Sequence, residues 1–241
     1  MKPAPPLAAD NCLFLDLDGT LLDLRADPAA IHVDARLQQL LSHCATRLDG
    51  ALAIISGRPI ADLDASFAPL RFAAAGIHGL EWRGTDGVTV APPAPAGELR
   101  AMVAPLAAAV QAMPMAQLED KGASLALHWR RAPRHAPALR RLAESTLQQL
   151  GPQFRLLEGN CVIELLPRGA NKGEAVREFL RRPPFVGRRP VYVGDDLTDV
   201  PGFAAARAAG GYGIAVGTRV AAEYRLPDVD AVRAWLGDGH E

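Results

Sequence analysis

Two carboxylates one residue apart, Asp16 and Asp18, stand in the run Asp16-Leu17-Asp18-Gly19-Thr20, directly behind an apolar stretch. On extended backbone such a pair can point the same way, and Gly19 then permits a sharp exit from the strand. A carboxylate so placed can attack a phosphoryl group and carry it as an aspartyl-phosphate. Its neighbour can protonate the leaving oxygen and later activate water. The plainer reading is a strand end closed by turn-forming acids. Three further places invite the same double reading. Ser56, in Ser56-Gly57-Arg58, ends a second apolar run ahead of a helix expected near Pro59. A hydroxyl and N–H groups at a helix start bind phosphate well, although a serine there can be no more than an N-cap. Lys172 opens another helix and could hold phosphate oxygens and a nucleophile's charge, or be a solvated surface lysine. Asp195, Asp196 and Asp199 cluster in Gly194-Asp195-Asp196-Leu197-Thr198-Asp199. Such acids suit a hard cation like magnesium, or simply the first turn of a helix. Each plain reading is comfortable alone, but four such sites in order at strand and helix edges are hard to explain without chemistry.

The elements that must position them are short apolar runs alternating with helical patterns. Residues 13–15 stop at Asp16, residues 51–55 at Ser56, residues 191–193 at Gly194-Asp195, and residues 214–216 at Gly217-Thr218. Each reads as a buried parallel strand with polar residues at its carboxyl end. Between them, residues 34–48 place Leu37, Leu40, Leu41 and Cys44 on one helical face, and residues 172–181 do so with Val176, Phe179 and Leu180. The pattern predicts an α/β fold with a doubly wound parallel sheet, a Rossmann-like core. Ligands bind such sheets outside the carboxyl ends of the strands.

The middle of the chain breaks this rhythm. Residues 80–91 suggest a hairpin turning at Asp86-Gly87, and Pro92-Pro93-Ala94-Pro95 reads as a linker. A helix over 97–112, two strands around Lys121-Gly122, a helix over 136–150 and two strands around Gly159-Asn160 follow. The α-β-β-α-β-β order predicts an inserted α/β cap domain over residues 92–166, a small sheet with two helices on one face and the other face open. The core is then residues 1–91 and 167–241.

Composition bounds the partners. The chain has 241 residues, 49% of them apolar, and a formal net charge of −1. That balance argues against nucleic acid as a partner and gives no reason to expect an acidic membrane. Three scattered cysteines, Cys12, Cys44 and Cys161, show neither zinc spacing nor a disulfide framework; Cys12 and Cys161 lie in apolar runs and are expected to be ordinary buried thiols. The opening MKPAPPLAADN, with three prolines, does not read as a signal peptide, and no apolar run of about 20 residues is present. A soluble protein of the cytoplasm is expected, a monomer or weak dimer because the central site needs no second copy.

Asp16-Leu17-Asp18-Gly19-Thr20, Ser56, Lys172 and Gly194 through Asp199 resemble, in order, the four motifs of the haloacid-dehalogenase-type phosphohydrolases. The resemblance covers essentially the whole chain. It implies that Asp16 is nucleophile and magnesium ligand, that Asp18 is the general acid/base and offers its backbone carbonyl to the metal, that Ser56 and Lys172 hold the phosphoryl group, and that Asp195, Asp196 and Asp199 complete the metal loop. Other segments narrow it to the trehalose-6-phosphate phosphatases: Ser56-Gly57-Arg58, Gly76-Ile77-His78-Gly79-Leu80-Glu81, Glu119-Asp120-Lys121-Gly122 with His128-Trp129-Arg130, and the metal loop with Val216-Gly217 downstream. The metal loop continues as Val200-Pro201, where that family usually adds further acids. The implied substrate is a phosphorylated disaccharide, with Gly57, Arg58, His78, Gly79, Glu81, Glu119, Lys121, His128, Arg130 and Glu158 as candidate substrate ligands.

Residues on alternate positions of a strand share a face, so Glu119 with Lys121, and His128 with Arg130, could meet sugar hydroxyls. They could equally be a surface ion pair and a satisfied histidine. Glu158 and Glu164 could be solvated, and Trp82 and Trp129 are better suited to packing than to stacking on sugar. Alternatives stay open: a phosphatase of sucrose phosphate, mannosyl-phosphoglycerate or a monosaccharide phosphate, a phosphomutase, or, from another class, a phosphorylatable receiver-like module.

Overall fold

The computed structural model describes residues 2–24, 33–90, 96–169 and 171–237. In chain order the elements are β1 (Lys2–Pro3), β2 (Asn11–Leu15), α1 (Ala35–Arg47), β3 (Leu52–Ile55), α2 (Ile60–Phe67), β4 (Ala73–Gly76), β5 (Glu81–Arg83) and β6 (Thr89–Val90). The middle of the chain forms α3 (Ala96–Gln111), β7 (Gln117–Asp120), β8 (Leu125–His128), α4 (Ala136–Leu150), β9 (Phe154–Gly159) and β10 (Val162–Pro167). The chain then continues as α5 (Lys172–Leu180), β11 (Arg189–Gly194), α6 (Val200–Ala208), β12 (Tyr212–Val216), β13 (Tyr224–Leu226) and α7 (Val229–Gly237). Two compact units result, Met1–Val90 with Asn171–Glu241, and Ala91–Ala170.

The first unit is built on a sheet of order β1-β13-β12-β11-β2-β3-β4-β5-β6. From β1 to β4 every neighbouring pair is parallel, and β5 and β6 close the edge antiparallel. The central strands are continuous apolar runs because both their faces are covered: β2, β3 and β12 are buried along their whole length. From β2 the chain crosses through α1 to β3 on one side, and from β11 it crosses through α6 to β12 on the other. Right-handed crossovers in opposite directions put α1 and α6 on opposite faces. The crevice where the direction reverses therefore opens between the carboxyl ends of β2 and β11, which are followed by Asp16 and Asp195. Helix α5 is anchored by Phe179, whose ring lies 5.8 Å from Phe14 of β2 and 5.3 Å from Trp82 of β5. That anchor fixes Lys172 at the start of the same helix.

In the second unit an antiparallel sheet of order β7-β8-β10-β9 carries α3 and α4. Leu125, Leu127, Ile163 and Leu165 alternate onto the face packed against Leu99, Leu106, Leu139 and Ala143. The intervening positions Glu119, Ala126 and Glu164 pair across the strands as one row of the other face.

Some sequence expectations need correction. The insert does not end at 166: β10 runs to Pro167, and the compact unit extends to Ala170. Cys161 lies outside the strands, in the tight turn between β9 and β10 with φ of 63°, and is only half-buried. Cys12 and Cys44 are buried, and burial pushes their thiols up to about 12 and about 11. The Pro-rich stretch 92–95 lies outside the described residues. Strand β4, Ala-Ala-Ala-Gly, gives almost no strand signal of its own and is placed by its partner β3. Among the described residues no helix is long and apolar enough to cross a membrane.

Helix α1 starts at Asp34, whose Oδ1 accepts the Leu37 N–H at 2.8 Å while its Oδ2 meets Arg233 of α7 at 2.8 Å. Replacing Asp34 by Ala removes the cap and that tie. A loss of about 1 kcal/mol is expected from the cap, to be read as a shift in the urea midpoint at unchanged slope.

Candidate active site

Asp16 is the first residue beyond β2, buried at 4% exposure. Its backbone N–H donates to the Val193 carbonyl at 3.0 Å, so the ladder between β2 and β11 fixes the carboxylate's base. Lys172 reaches it from the start of α5, with Nζ 2.7 Å from Asp16 Oδ1 and 2.6 Å from Asp199 Oδ1. Asn171 caps that helix by accepting the Glu174 N–H. Asp195 follows β11, and one oxygen each from Asp16, Asp195 and Asp199 lies within 4.8 Å of the others.

The glycine after Asp18 is what makes this packing possible. Gly19 has φ of 93°, and a Cβ there would sit 2.3 Å from Asp195 Oδ2. Two carboxylate loops from different strands therefore meet only across a residue without a side chain.

Charge is out of balance in this pocket: three buried carboxylates face one ammonium. Burial works against the charge on Lys172, but Asp16 and Asp199 outweigh it and hold the ammonium above its ordinary pKa. Burial, and then Asp199, push Asp195 up to about 7. Asp195 Oδ1 is buried with no hydrogen-bond partner among the described residues. A buried, unsatisfied acceptor beside surplus negative charge is the environment a divalent cation with oxygen preference fits.

The acids of the loop over residues 194–199 are not equivalent. Asp199 Oδ1 accepts from Lys172 Nζ and from Tyr192 Oη at 2.8 Å, and its Oδ2 accepts the backbone N–H groups of Asp195 and Asp196, both at 3.0 Å. A carboxylate offers about four lone-pair sites, so Asp199 is saturated and serves to orient Lys172 and the loop. It nevertheless belongs to the acidic group with Asp16 and Asp195 that could hold a metal ion. Asp196 lies outside that group: its Oδ1 accepts the Leu197 N–H at 2.7 Å and pairs with Arg219 at 3.2 Å, and with Asp199 it forms a capping box. Asp18 lies outside the carboxylate cluster by its side chain, which is gripped by Arg58 at 2.6 and 2.7 Å.

Ser56 follows β3, buried, and its Oγ accepts the Arg58 N–H at 3.1 Å. The expected open helix start behind it is instead closed. Pro59 gives α2 no side-chain cap, and Glu81 Oε2 takes the Ile60 N–H at 2.6 Å. Glu81 is thus the helix's borrowed cap. Ile77, His78 and Gly79 all have positive φ, at 46°, 56° and 102°; for a β-branched residue such as Ile77 that is a strained conformation. The strained turn donates the His78 N–H to the Ser56 carbonyl and the Ile77 N–H to the Arg58 carbonyl. A Cβ on Gly57 would lie 2.7 Å from the His78 ring, so the buried His78 supports the Ser56 loop from behind. Gly79 brings the same turn against Asn171, whose carbonyl would lie 3.0 Å from a Cβ there.

On the insert, Glu119 Oε2 and His128 Nε2 are 2.7 Å apart. Burial would raise the Glu119 pKa, but the His128 hydrogen bond and Lys121 together hold it below the usual carboxylate value. Lys121 Nζ meets Glu164 Oε2 at 3.0 Å, and Ser124 Oγ donates to Glu164 Oε1. Arg130 donates to the Asn160 carbonyl at 2.9 Å. Glu158 is separated from this group: its register partner is Ile163, on the helix-packed face, and it faces Arg140 of α4 at 3.4 Å. Glu164, not Glu158, joins Glu119. Trp129 is buried in the insert's core, with the Arg140 guanidinium 5.2 Å from its ring. Sequence reasoning missed Tyr192, whose one signal was a phenol inside an otherwise apolar strand, and such a group needs a buried partner.

Because the raised Asp195 keeps its proton in the folded state between about pH 4 and about 7, while the unfolded chain has released it, the folded form binds more protons in that window. Its stability then falls as pH rises. In chelator, Asp195→Asn should flatten that part of the Tm profile between pH 4 and 7 and abolish the Tm gain on adding a divalent cation. A variant that still gains Tm from the cation as wild type does would show that the cation does not use Asp195.

Comparison with known proteins converges on one family. The Trehalose-phosphatase family model matches residues 14–229. The chain is 43% identical over 237 residues to the trehalose-6-phosphate phosphatase of Escherichia coli K12, covering 98% of this chain and 89% of that one. It is 41% identical over 229 residues to a probable trehalose-phosphate phosphatase of Sinorhizobium fredii, covering 95% and 86%. A crystal structure of a trehalose-6-phosphate phosphatase related protein superposes with a TM-score of 0.78 at 26% identity, over 94% of this chain and 96% of that one. The Asp16, Lys172 and Asp195 pocket lies within the matched span, and the chain belongs to the trehalose-phosphatase family.

Proposed function

We propose that this protein is a magnesium-dependent phosphatase that hydrolyses trehalose 6-phosphate to trehalose and phosphate through a phospho-aspartate on Asp16. The observation that carries the reading is the pocket between β2 and β11, where a buried carboxylate, an ammonium and an unsatisfied acidic oxygen converge. Asp16 and Asp195, with the Asp18 backbone carbonyl, are the groups that would hold magnesium. When bound, the ion would offset the charge of both the phosphate and the attacking carboxylate.

The chain's own residues supply the rest. Lys172 orients Asp16 and favours its carboxylate form against burial and the neighbouring Asp199 and Asp195, which push the Asp16 pKa well up, and its ammonium remains close enough to share with phosphate oxygens. Asp16 attacks phosphorus, its carboxylate oxygen forming the new bond as the bond to the sugar oxygen breaks. Asp18 gives the departing sugar oxygen its proton. It then takes one from the water that cleaves the acyl phosphate, returning Asp16 as a carboxylate. Ser56, whose Oγ already accepts the Arg58 N–H, can donate its hydroxyl hydrogen to a phosphoryl oxygen. Specificity for the disaccharide is assigned to the insert, where Glu119, Lys121, His128, Arg130 and Glu164 present acceptors and donors suited to sugar hydroxyls.

Asp16→Asn is expected to abolish turnover with the fold intact. Retention of more than about a tenth of kcat, roughly 1.4 kcal/mol of barrier, once deamidation is excluded, would remove Asp16 from the nucleophile's place. For the substrate, phosphate release with magnesium should favour trehalose 6-phosphate over sucrose 6-phosphate, mannosyl-3-phosphoglycerate and glucose 6-phosphate by about 10³-fold in kcat/KM, roughly 4 kcal/mol of transition-state discrimination. Preference for another ester would leave the core chemistry standing and reassign the insert.

A further inference from the structure

We propose that Arg58 is a positioning residue for the acid–base step, fixing the plane of the Asp18 carboxylate rather than serving chiefly as a ligand of the substrate. The inference rests on the reading of Asp18 as the general acid.

The geometry is a fork on a carboxylate. Arg58 Nε donates to Asp18 Oδ2 at 2.6 Å and Arg58 Nη2 to Asp18 Oδ1 at 2.7 Å. Two parallel bonds from one planar group define orientation as well as proximity. The need for such a device is visible in the surroundings. Asp18 lies two residues beyond the buried Asp16, and its side chain is 33% exposed. The torsion that turns a carboxylate is broad, so packing alone does not set its plane. A general acid must bring its oxygen within hydrogen-bond reach of the leaving atom.

Arg58 is itself held at both ends. Its side chain is only 13% exposed. Its backbone N–H is accepted by Ser56 Oγ, and its carbonyl accepts the Ile77 N–H at 3.0 Å. Asp18 is tied on its side by a bridge to Leu22 and by the Gly19 N–H to the Leu22 carbonyl at 2.7 Å. The loop expected to hold phosphate and the carboxylate expected to deliver the proton are therefore one connected unit, although 40 positions separate the two residues. The fork uses about two of the four lone-pair sites of Asp18 and leaves one on each oxygen for the leaving group or water. A lysine could not replace this, since an ammonium is a point charge that does not define a plane.

Leaving-group chemistry separates this role from phosphate binding. A sugar alkoxide needs a proton to depart, whereas p-nitrophenolate leaves well without one. The measurement is the ratio of kcat/KM for trehalose 6-phosphate to that for p-nitrophenyl phosphate, in wild type, Arg58→Gln, Arg58→Lys, Asp18→Asn and the double variant Asp18→Asn with Arg58→Gln. Asp18→Asn should lower the ratio by about 10²-fold or more. Arg58→Gln and Arg58→Lys should each lower it by at least about tenfold, and Arg58→Gln should lower it no further in the Asp18→Asn background. Arg58→Lys, which keeps the charge, guards against a folding defect in Arg58→Gln. If both esters slow equally in both Arg58 variants while Asp18→Asn keeps its discrimination, Arg58 acts on the phosphate and the inference is overturned. If Lys restores the wild-type ratio, charge rather than orientation is what matters, and the inference again fails. If Asp18→Asn itself shows no discrimination, the acid reading fails first and the inference falls with it.

Discussion

Lys172 stands between Asp16 and Asp199, fully buried, with Asp195 alongside. Isolated charges are very costly to bury, and among the described residues one ammonium faces three carboxylates, so the pocket holds an excess of acidic groups, and burial with mutual repulsion pushes Asp16 and Asp195 towards their protonated forms. Much of the surrounding architecture follows from keeping that excess in place. The ladder between β2 and β11 fixes the backbones of Asp16 and Asp195 relative to each other. The aromatic contacts of Phe179 hold the helix that begins with Lys172. Gly19 lets the two acidic loops approach without a side chain between them. Asp199 spends both oxygens on Lys172, Tyr192 and two backbone N–H groups, which keeps the loop from relaxing towards the ammonium. A frame this constrained is stable in charge only when a cation, or a proton, is shared with it.

The second constraint is conformational. Three consecutive left-handed residues, one of them β-branched, are an unfavourable way to build a turn. What the turn gains is a backbone that accepts no slack: it ties the carbonyls of Ser56 and Arg58, backs Gly57 with the His78 ring and lies against Asn171 at the start of α5. The strain thus sets the spacing between the Ser56 loop and the helix of Lys172. Those two elements share no strand, and without the turn their relative position would depend on loop packing alone.

Legibility from sequence tracked the range of the interaction. Asp16, Ser56 and Asp195 could be found because each follows an uninterrupted apolar run, and a buried parallel strand is a local pattern. Lys172 was found for the analogous reason at a helix start. Pairings between distant residues were not legible. The grip of Arg58 on Asp18 spans 40 positions. The capping of α2 by Glu81 depends on a proline that cannot cap, and in the sequence Glu81 looked like one more sugar ligand. Glu158 and Glu164 are the sharpest case. Both are carboxylates in the same hairpin, and only the register, Glu164 opposite Ala126 and Glu158 opposite Ile163, puts them on opposite faces. Strand β4 was silent because alanine and glycine carry no strand preference, and its neighbours decide its conformation.

The same register bears on why the insert keeps a buried ion pair. Lys121 and Glu164 are 8% and 4% exposed by side chain, and they sit on the sheet face opposite the helices, beside Ser124. A pair of that kind gives little net stability, because desolvation of both ions offsets their attraction, and an apolar pair would serve the fold as well. What it provides is a fixed polar arrangement, with both Glu164 oxygens held by Lys121 and Ser124. Ala126, between Glu119 and Glu164 in the cross-strand row, is fully buried, and His128 and Lys121 hold the two flanking carboxylates oriented. The acids then divide by strand position: Asp16 and Asp195 at the carboxyl ends of parallel strands, and Glu119 and Glu164 on one face of an antiparallel sheet.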